Sequence, residues 1–494
     1  MMKAFLLAVI LSVAACTSAA RAAEARPNIL VILADDLGVG DVQALNPERG
    51  KIKTPHLDRL VAAGMTFTDA HSGSSVCTPT RYGLLTGRYA WRTRLQSGVL
   101  DGGNDDPLIA ADRLTLPGLV RQQGYSTGCI GKWHLGFQSE TATQKTSNKS
   151  GGGLPVGARI IGGPTTRGFD YFWGCSNARK MSSLIENERV IEKIEPITML
   201  PRLAKRAVEY VGDRAAEAKA GRPFFLYVPL TSPHIPILPT DEWRGKSGLG
   251  DYGDFMMQTD AAVGEILAAL DRHELANNTL VIFTSDNGCS PTAGTGKLED
   301  AGHFASGPSR GYKADVWEGG HRVPFIARWP GVVKPASKST QTICLGDLTA
   351  TCSELLGAKL PDDAAEDSVS FLSLLRGEDR PVRESVVHHS VDGCFAIRAG
   401  DWKLAFCSGS GGWGRPKDDE ADKQKLPDVQ LYNLADDPGE QTNLQAKYPE
   451  IVARMTGQMR QIIADGRSTP GTKQSNDVEI ELFKKSKPSK KKTK

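Results

Sequence analysis

After position 15, the 494-residue chain has no run of about twenty apolar residues, so it offers no transmembrane helix there. Nine cysteines are too few for a disulfide scaffold at this length. No Cys-x-x-Cys pair or Cys/His cluster spells a zinc site. Strong net charge is missing too. The formal charge is +3, yet seven lysines crowd the last eleven positions. Those seven exceed the whole surplus, so the remainder is slightly acidic and nothing in it supports nucleic-acid recognition. Residues 481–494 read as a basic, solvated, disordered tail. The chain has no internal repeat.

What the chain does have starts at its N-terminus. Lys3 precedes an apolar run from Ala4 to Ala15, a charged segment followed by one too short to span a bilayer. Ala20-Arg21-Ala22 offers a cleavage site. Residues 1–22 therefore read as a signal peptide, and the protein as exported, periplasmic or secreted. Val13-Ala14-Ala15-Cys16 also resembles a lipoprotein box, which would hold the mature chain by lipid at Cys16. Setting Cys16 and Cys77 aside leaves an odd seven cysteines, so these cannot all pair with one another. Buried free thiols are expected for most, with one or more disulfides open to an oxidising compartment.

Four short apolar runs each end in polar or ionisable residues. Asn28–Ala34 ends at Asp35-Asp36, Thr279–Thr284 at Ser285-Asp286-Asn287-Gly288, Pro223–Leu230 at Ser232-Pro233-His234, and Tyr125–Ile130 at Gly131-Lys132-Trp133-His134. Continuous apolar runs of this length fit strands buried on both faces. Helical patterns lie between them at Thr54–Gly64, Thr115–Gly124, Leu203–Ala220 and Tyr252–His273. The alternation predicts an α/β fold with a large mixed, mostly parallel sheet covered by helices on both faces. In such sheets ligand sites collect beyond the carboxyl ends of the strands, so the four loops can share one cleft. Residues 23–380 read as this catalytic domain. Short strands around 384–389, 394–398, 402–406 and 429–432, then a helix over 449–465, predict a smaller antiparallel-sheet-plus-helix subdomain over 381–480. Segments 138–167, 288–311 and 408–427 read as long loops.

Asp35, Asp36 and Asp286 supply carboxylates and Asn287 an amide oxygen. An all-oxygen set favours a hard cation, Ca²⁺ ahead of Mg²⁺, and a cation also relieves the repulsion between paired carboxylates.

Cys77 stands in Cys77-Thr78-Pro79-Thr80-Arg81, followed by Leu84-Leu85-Thr86-Gly87-Arg88. This Cys-x-Pro-x-Arg-x-x-Leu-Leu-Thr-Gly-Arg pattern resembles the signature of type I, formylglycine-dependent sulfatases of the alkaline phosphatase superfamily. The resemblance extends in order through Asp35-Asp36, Gly131–Gly136, Pro233-His234, Asp286–Gly288, the block from Gly311 through Lys313 and Glu318-Gly319-Gly320 to Pro324, Ile397–Leu404 and Leu431–Pro438.

The resemblance implies that a maturation enzyme oxidises Cys77 to formylglycine, whose hydrate attacks sulfur beside a cation held by Asp35, Asp36, residue 77, Asp286 and Asn287. It implies Lys132 and Lys313 on the sulfate oxygens and His234 on the leaving oxygen. His134 would take the proton from the second hydroxyl, and Arg81 would orient the diol. Histidines suit proton transfer because they titrate near neutrality. His303, in the loop before Lys313, is a further substrate-binding candidate. Trp413, Arg88 and Trp91 are candidates for a sugar contact, with core or surface packing as the plainer reading, and Arg322 for a structural ion pair.

The expected function is hydrolysis of sulfate esters of a sugar in a polysaccharide or glycosaminoglycan, N-acetylgalactosamine sulfate among them. The alternatives are a phosphonate or phosphodiester hydrolase of the same superfamily, and a non-catalytic glycan-binding protein that never matures Cys77.

Overall fold

The computed structural model describes residues 26–102, 104–140 and 153–484. The expected signal segment with Cys16, and residues 485–494 of the expected tail, lie outside the described residues; the first residues of that tail, 481–484, are packed rather than solvated, with Leu482 buried in the C-terminal core and Lys484 donating to Gln96 at 3.0 Å. Among those described, no helix is long and apolar enough to cross a membrane.

A ten-stranded sheet organises the chain. Its strand order is Ser337–Ser339, Met65–Phe67, Phe325–Arg328, Thr279–Ser285, Asn28–Ala34, Phe224–Pro229, Ser126–Lys132, Tyr171–Cys175, Ser183–Glu186 and Arg189–Lys193. The five strands from Thr279–Ser285 to Tyr171–Cys175 run parallel. Antiparallel pairs flank them on both sides.

The apolar runs alternate between two cores. Ile29, Val31 and Leu33 face one, with Tyr82, Leu85, Leu116 and Val120 from the helices on that side. Leu30, Ile32 and Ala34 face the other, with Leu57, Leu203, Val263 and Ile266. Helices thus cover both faces, as the unbroken hydrophobicity of these strands demands. Full burial of one such side chain contributes about 1.5–3 kcal/mol.

The predicted helices form as Pro55–Ala63, Leu116–Gln122, Met199–Lys219 and Gly250–Arg272. Thr115 caps its helix by accepting from Gly118 N at 3.1 Å. Thr54 instead donates to Asp58 at 2.9 Å.

The C-terminal strands Val386–His389, Phe395–Ala399, Trp402–Ala405 and Gln430–Asn433 form an antiparallel sheet. Met455, Met459 and Ile462 of the Pro449–Ala464 helix pack on it. Its other side meets Val316 and Trp317 of the large domain. A disulfide links Cys394 and Cys407, while Cys77, Cys129, Cys175, Cys289, Cys344 and Cys352 are buried free thiols.

The segments read as loops carry some regular structure. A two-stranded pair, Gln138–Ser139 with Ile160–Ile161, lies in the first, whose residues 141–152 are outside the described set. Short helices Thr295–Asp300 and Asp418–Lys423 lie in the other two.

Candidate active site

Strand register builds the site. Ala34 pairs with Ser285 and Leu33 with Pro229, so the central strands end level and release their next residues together. Asp286 N then donates to Ala34 O at 3.1 Å, and Asp36 N to Asp286 Oδ1 at 3.2 Å. Cys77 opens the Cys77–Thr86 helix directly above these tips. A helix N-terminus there favours a negative charge.

The four tips and the helix start converge. One potential ligand atom from each of Asp35, Asp36, Cys77 and His234 lies within 4.8 Å of all the others. Lys132 Nζ donates to both oxygens of Asp35 at 2.8 and 2.7 Å. Lys313 Nζ donates to Asp36 Oδ1 at 2.5 Å and stands 3.5 Å from Cys77 Sγ. His234 Nε2 is 3.7 Å from Asp36 Oδ2. All of these side chains are buried.

The electrostatics follow from that crowding. Burial opposes ionisation of the Cys77 thiol, but Lys132 and Lys313 outweigh it and hold its pKa well below the usual thiol range. Burial likewise opposes the Asp35 carboxylate, which Lys132, His234, Arg81 and Lys313 nevertheless keep ionised. Burial and the neighbouring Asp35 charge push Asp286 upward. Burial and Lys132 lower the pKa of His134, so it is a neutral imidazole.

Hydrogen bonds assign the histidine tautomers. His134 Nε2 lies 2.8 Å from Leu100 O, a carbonyl that only accepts, so Nε2 carries the proton. Nδ1 has no hydrogen-bond partner of its own; Cys77 is the acidic group beside it. His134 holds this pose at φ +55°, a left-handed conformation that strains a residue with a side chain. His234 Nδ1 donates to Ile235 O, which turns Nε2 toward Asp36.

Among the ligand candidates two buried oxygens are left without a donor, Asp36 Oδ2 and Asn287 Oδ1. Orphaned buried acceptors are costly, and a divalent cation would satisfy both. Asn287 Nδ2 meanwhile donates to Asp36 Oδ1 at 2.8 Å. The donor set of Asp35, Asp36, Asn287 and Asp286 therefore fits a hard cation. Asp286 is the most occupied of these: its Oδ1 accepts from Asp36 N and its Oδ2 from Arg81. Asp286 Oδ1 accepts once and keeps a second lone pair for a metal, whereas Oδ2 accepts twice from Arg81.

Arg81 serves the carboxylates rather than the nucleophile. Its Nε and one terminal nitrogen donate to Asp286 Oδ2 at 3.0 and 2.7 Å, and the other terminal nitrogen donates to Lys132 O at 3.0 Å. It also stands 3.4 Å from Asp35 Oδ1.

His303 does not reach the cleft. It is fully buried, its Nδ1 accepts from Lys51 N at 3.1 Å and its Nε2 donates to Asp41 at 2.8 Å. A substrate-binding role is therefore replaced by a packing role, because both ring nitrogens are already spent. Trp91 and Arg88 are buried as well, Arg88 pairing with Glu366 and Asp477, whereas Trp413 is exposed. Arg322 pairs with Glu318 and Asp69, as a structural residue should.

The backbone around Lys313 depends on glycine. A Cβ on Gly288 would stand 1.9 Å from Gly319 O, one on Gly319 2.1 Å from Gly311 O, and one on Gly320 2.3 Å from Asp315 O. Only glycine lets these three segments lie so close.

Two lysines closing on a buried nucleophile are wasted on a neutral substrate and suited to a tetrahedral oxyanion. Fold and site together define a hydrolase of anionic esters built on the sheet of the alkaline phosphatase superfamily. The chain belongs to the sulfatase family. The family description "Sulfatase" matches residues 27–358, and "C-terminal region of aryl-sulfatase" matches residues 381–487. An N-acetylgalactosamine-6-O-sulfatase of Bacteroides thetaiotaomicron is 33% identical, covering 87% of this chain and 92% of the relative. Bovine arylsulfatase A is 33% identical, covering 90% and 88%. A Bacteroides thetaiotaomicron sulfatase solved in work on the metabolism of multiple glycosaminoglycans superposes with a TM-score of 0.77. That pair shares 29% identity over 89% of this chain and 99% of the other. The protein is a sulfuric ester hydrolase.

Proposed function

We propose that this sulfatase is exported, carries formylglycine at position 77 and a Ca²⁺ ion beside it, and removes sulfate from a sulfated sugar. The leading substrate is an N-acetylgalactosamine 6-sulfate unit of a glycosaminoglycan. The observation that carries the chemistry is the convergence of Cys77, Lys132, Lys313 and the orphaned oxygens of Asp36 and Asn287 in one buried cluster. The sugar is carried by likeness to the N-acetylgalactosamine-6-O-sulfatase. The Cys394–Cys407 disulfide suits an oxidising compartment outside the cytosol and so supports export.

Oxidised and hydrated, residue 77 would supply a geminal diol whose one hydroxyl attacks sulfur and whose other, on deprotonation, expels sulfate. A cation held by Asp35, Asp36, Asp286 and Asn287 would supply Lewis acidity at the sulfate oxygens. The remaining steps belong to side chains. Lys132 and Lys313 neutralise the equatorial oxygens as charge spreads over them. His234, with its Nδ1 proton tied to Ile235 O, presents Nε2 to the departing oxygen and, as the imidazolium, would donate its second proton there and return to the neutral ring. His134, with Nε2 tied to Leu100 O, keeps the Nδ1 lone pair on the side of residue 77 to accept the proton of the second hydroxyl. Arg81 holds Asp286 and Asp35 in place beneath them.

A panel of defined sulfated mono- and oligosaccharides tests the reading, with released sulfate measured on protein whose aldehyde content has been confirmed by mass spectrometry. Preference for N-acetylgalactosamine 6-sulfate is expected. Preference for another sulfated sugar would move the substrate and keep the chemistry. Faster turnover of a matched aryl phosphodiester than of the aryl sulfate would reject it.

A further inference from the structure

Two segments are largely buried yet donate no side-chain hydrogen bond to the nucleophile or the cation ligands: Glu318-Gly319-Gly320-His321 and Trp402-Lys403-Leu404. The structure joins them. Lys403, on the C-terminal sheet, is fully buried, and so is its ammonium's whole environment. Its Nζ lies 3.1 Å from Glu318 Oε1, 2.8 Å from Glu440 Oε1 and 3.1 Å from His321 Nε2. Glu318 Oε1 and His321 Nε2 accept from the ammonium, and Glu440 Oε1 faces it as an ion-pair partner. Glu440 also accepts from Glu318 N through Oε2 at 2.6 Å.

The network continues inward. With Nε2 of His321 facing Lys403, its Nδ1–H donates to His71 Nδ1 at 3.1 Å, and His71 Nε2–H donates to Asp69 at 3.0 Å. Asp69 is closed off by Arg322 at 2.8 Å and by Arg398. Arg322 and Arg398 also flank Glu318, and His388 stacks on His321. His71, Glu318 and His321 bring ligand atoms within 4.8 Å of one another, as a metal site would. The Lys403 ammonium already fills that role, and the arginines around it repel a further cation.

Immediately beside this network the C-terminal sheet grips the active site through its backbone. His389 O accepts from Ser74 Oγ and Ser75 N, both at 3.0 Å, three and two residues before Cys77. Val391 N donates to Ala314 O at 3.0 Å, next to Lys313. Ala314 N in turn donates to Ser75 O at 2.9 Å. His321 O accepts from Ser72 N at 2.8 Å, and Gly320 O from Gly288 N at 3.0 Å. One sheet edge therefore spans the turn that delivers the nucleophile and the turn that delivers Lys313.

We propose that Lys403, with Glu318 and Glu440, is a positioning device for catalysis: it locks the C-terminal sheet at the height that sets the separation of residue 77 and Lys313. The C-terminal subdomain is then part of the active site's construction. Nucleophile placement is steeply tied to rate, since a shift of about 1 Å costs on the order of a hundredfold. The proposal rests on the sulfatase chemistry above, and wild-type turnover measured alongside separates failure of one from failure of the other.

The test compares Lys403→Met with the charge-balanced pair Lys403→Met/Glu440→Gln. The readouts are melting temperature, kcat and KM on a small aryl sulfate, normalised to aldehyde content. The single variant is expected to melt lower and to lose at least tenfold in kcat. In the pair, buried charge is balanced again, so melting temperature is expected to recover while kcat stays at least tenfold low and KM moves less than threefold. Recovery of kcat together with stability would show a purely structural ion pair and overturn the proposal. Unchanged kcat in either folded variant would overturn it too. If the single variant does not fold, the pair and Ser74→Ala decide: Ser74→Ala removes one clamp bond, and is expected to lower kcat about threefold to tenfold. Wild-type kcat in either would refute the positioning role.

Discussion

Arg81 offers the sharpest test of the charge arrangement. Its guanidinium is fully buried and satisfies Asp286 Oδ2 twice, Asp35 Oδ1 at 3.4 Å and the Lys132 carbonyl. Arg81→Met keeps the aliphatic bulk and removes the charge. Breaking a buried pair by deleting one partner costs about 3–5 kcal/mol, because the other charge stays behind uncompensated. Unfolding entropy is about 2.1 cal/mol/K per residue, or about 1 kcal/mol/K for a chain this long, so the melting temperature should fall by about 3–5 °C. That holds in EDTA. With Ca²⁺ the loss should shrink to half or less, since a divalent ion neutralises Asp35 and Asp286 and no longer meets the repulsion of Arg81. The assay is thermal unfolding of wild type and variant, each in EDTA and in saturating Ca²⁺. Equal losses under both conditions would refute a cation shared with these carboxylates. No loss in EDTA would refute the claim that Arg81 carries their charge balance.

Cys77→Ser should keep the fold and melting temperature and lose at least a thousandfold in turnover, because a serine ester has no second hydroxyl through which to expel sulfate; near-normal rates would dismiss the formylglycine requirement. His134→Ala should release about one alcohol per aldehyde-bearing molecule and then stall, which rapid-mixing measurements of alcohol and sulfate would separate; equal, continuous release of both would remove His134 from the second step. Burial lowers His389 to about 4 from an ordinary 6.5. A histidine depressed on folding takes up its proton in the unfolded chain first, so its stability contribution is complete above about pH 6.5 and falls away toward pH 4. That amounts to about 3 kcal/mol across the window. Urea unfolding of His389→Phe at pH 7 and pH 4.5 should show a smaller acid loss than wild type, and an identical loss would contradict the buried neutral imidazole.

The parts of this protein legible along the chain are those set by local chemistry. Strands buried on both faces must be apolar throughout, so Asn28–Ala34 and Thr279–Ser285 announce themselves. Residues that end such strands carry the chemistry, so Asp35, Asp36, Asp286 and Asn287 could be named before they were seen together. The C-terminal sheet was equally readable from its short runs and turns, within a residue or two at each end.

Other assignments needed the third dimension. His303 shares a loop with Lys313, yet Asp41 and the Lys51 amide consume both of its nitrogens. Arg81 follows Cys77 by one helical turn, but its long side chain passes the nucleophile and ends on carboxylates from two other strands. The Cys394–Cys407 pairing depends on how two strands meet.

By itself the sequence determined the residue types and their order, and so the class of chemistry, because those are properties of single positions. Tertiary structure decided which charges pair, which histidine is buried away from the cleft, and that Lys403 binds Glu318 across 85 residues. Those are pairwise energies between distant segments, and they exist only once strand register and sheet docking have brought the groups into the same dry space.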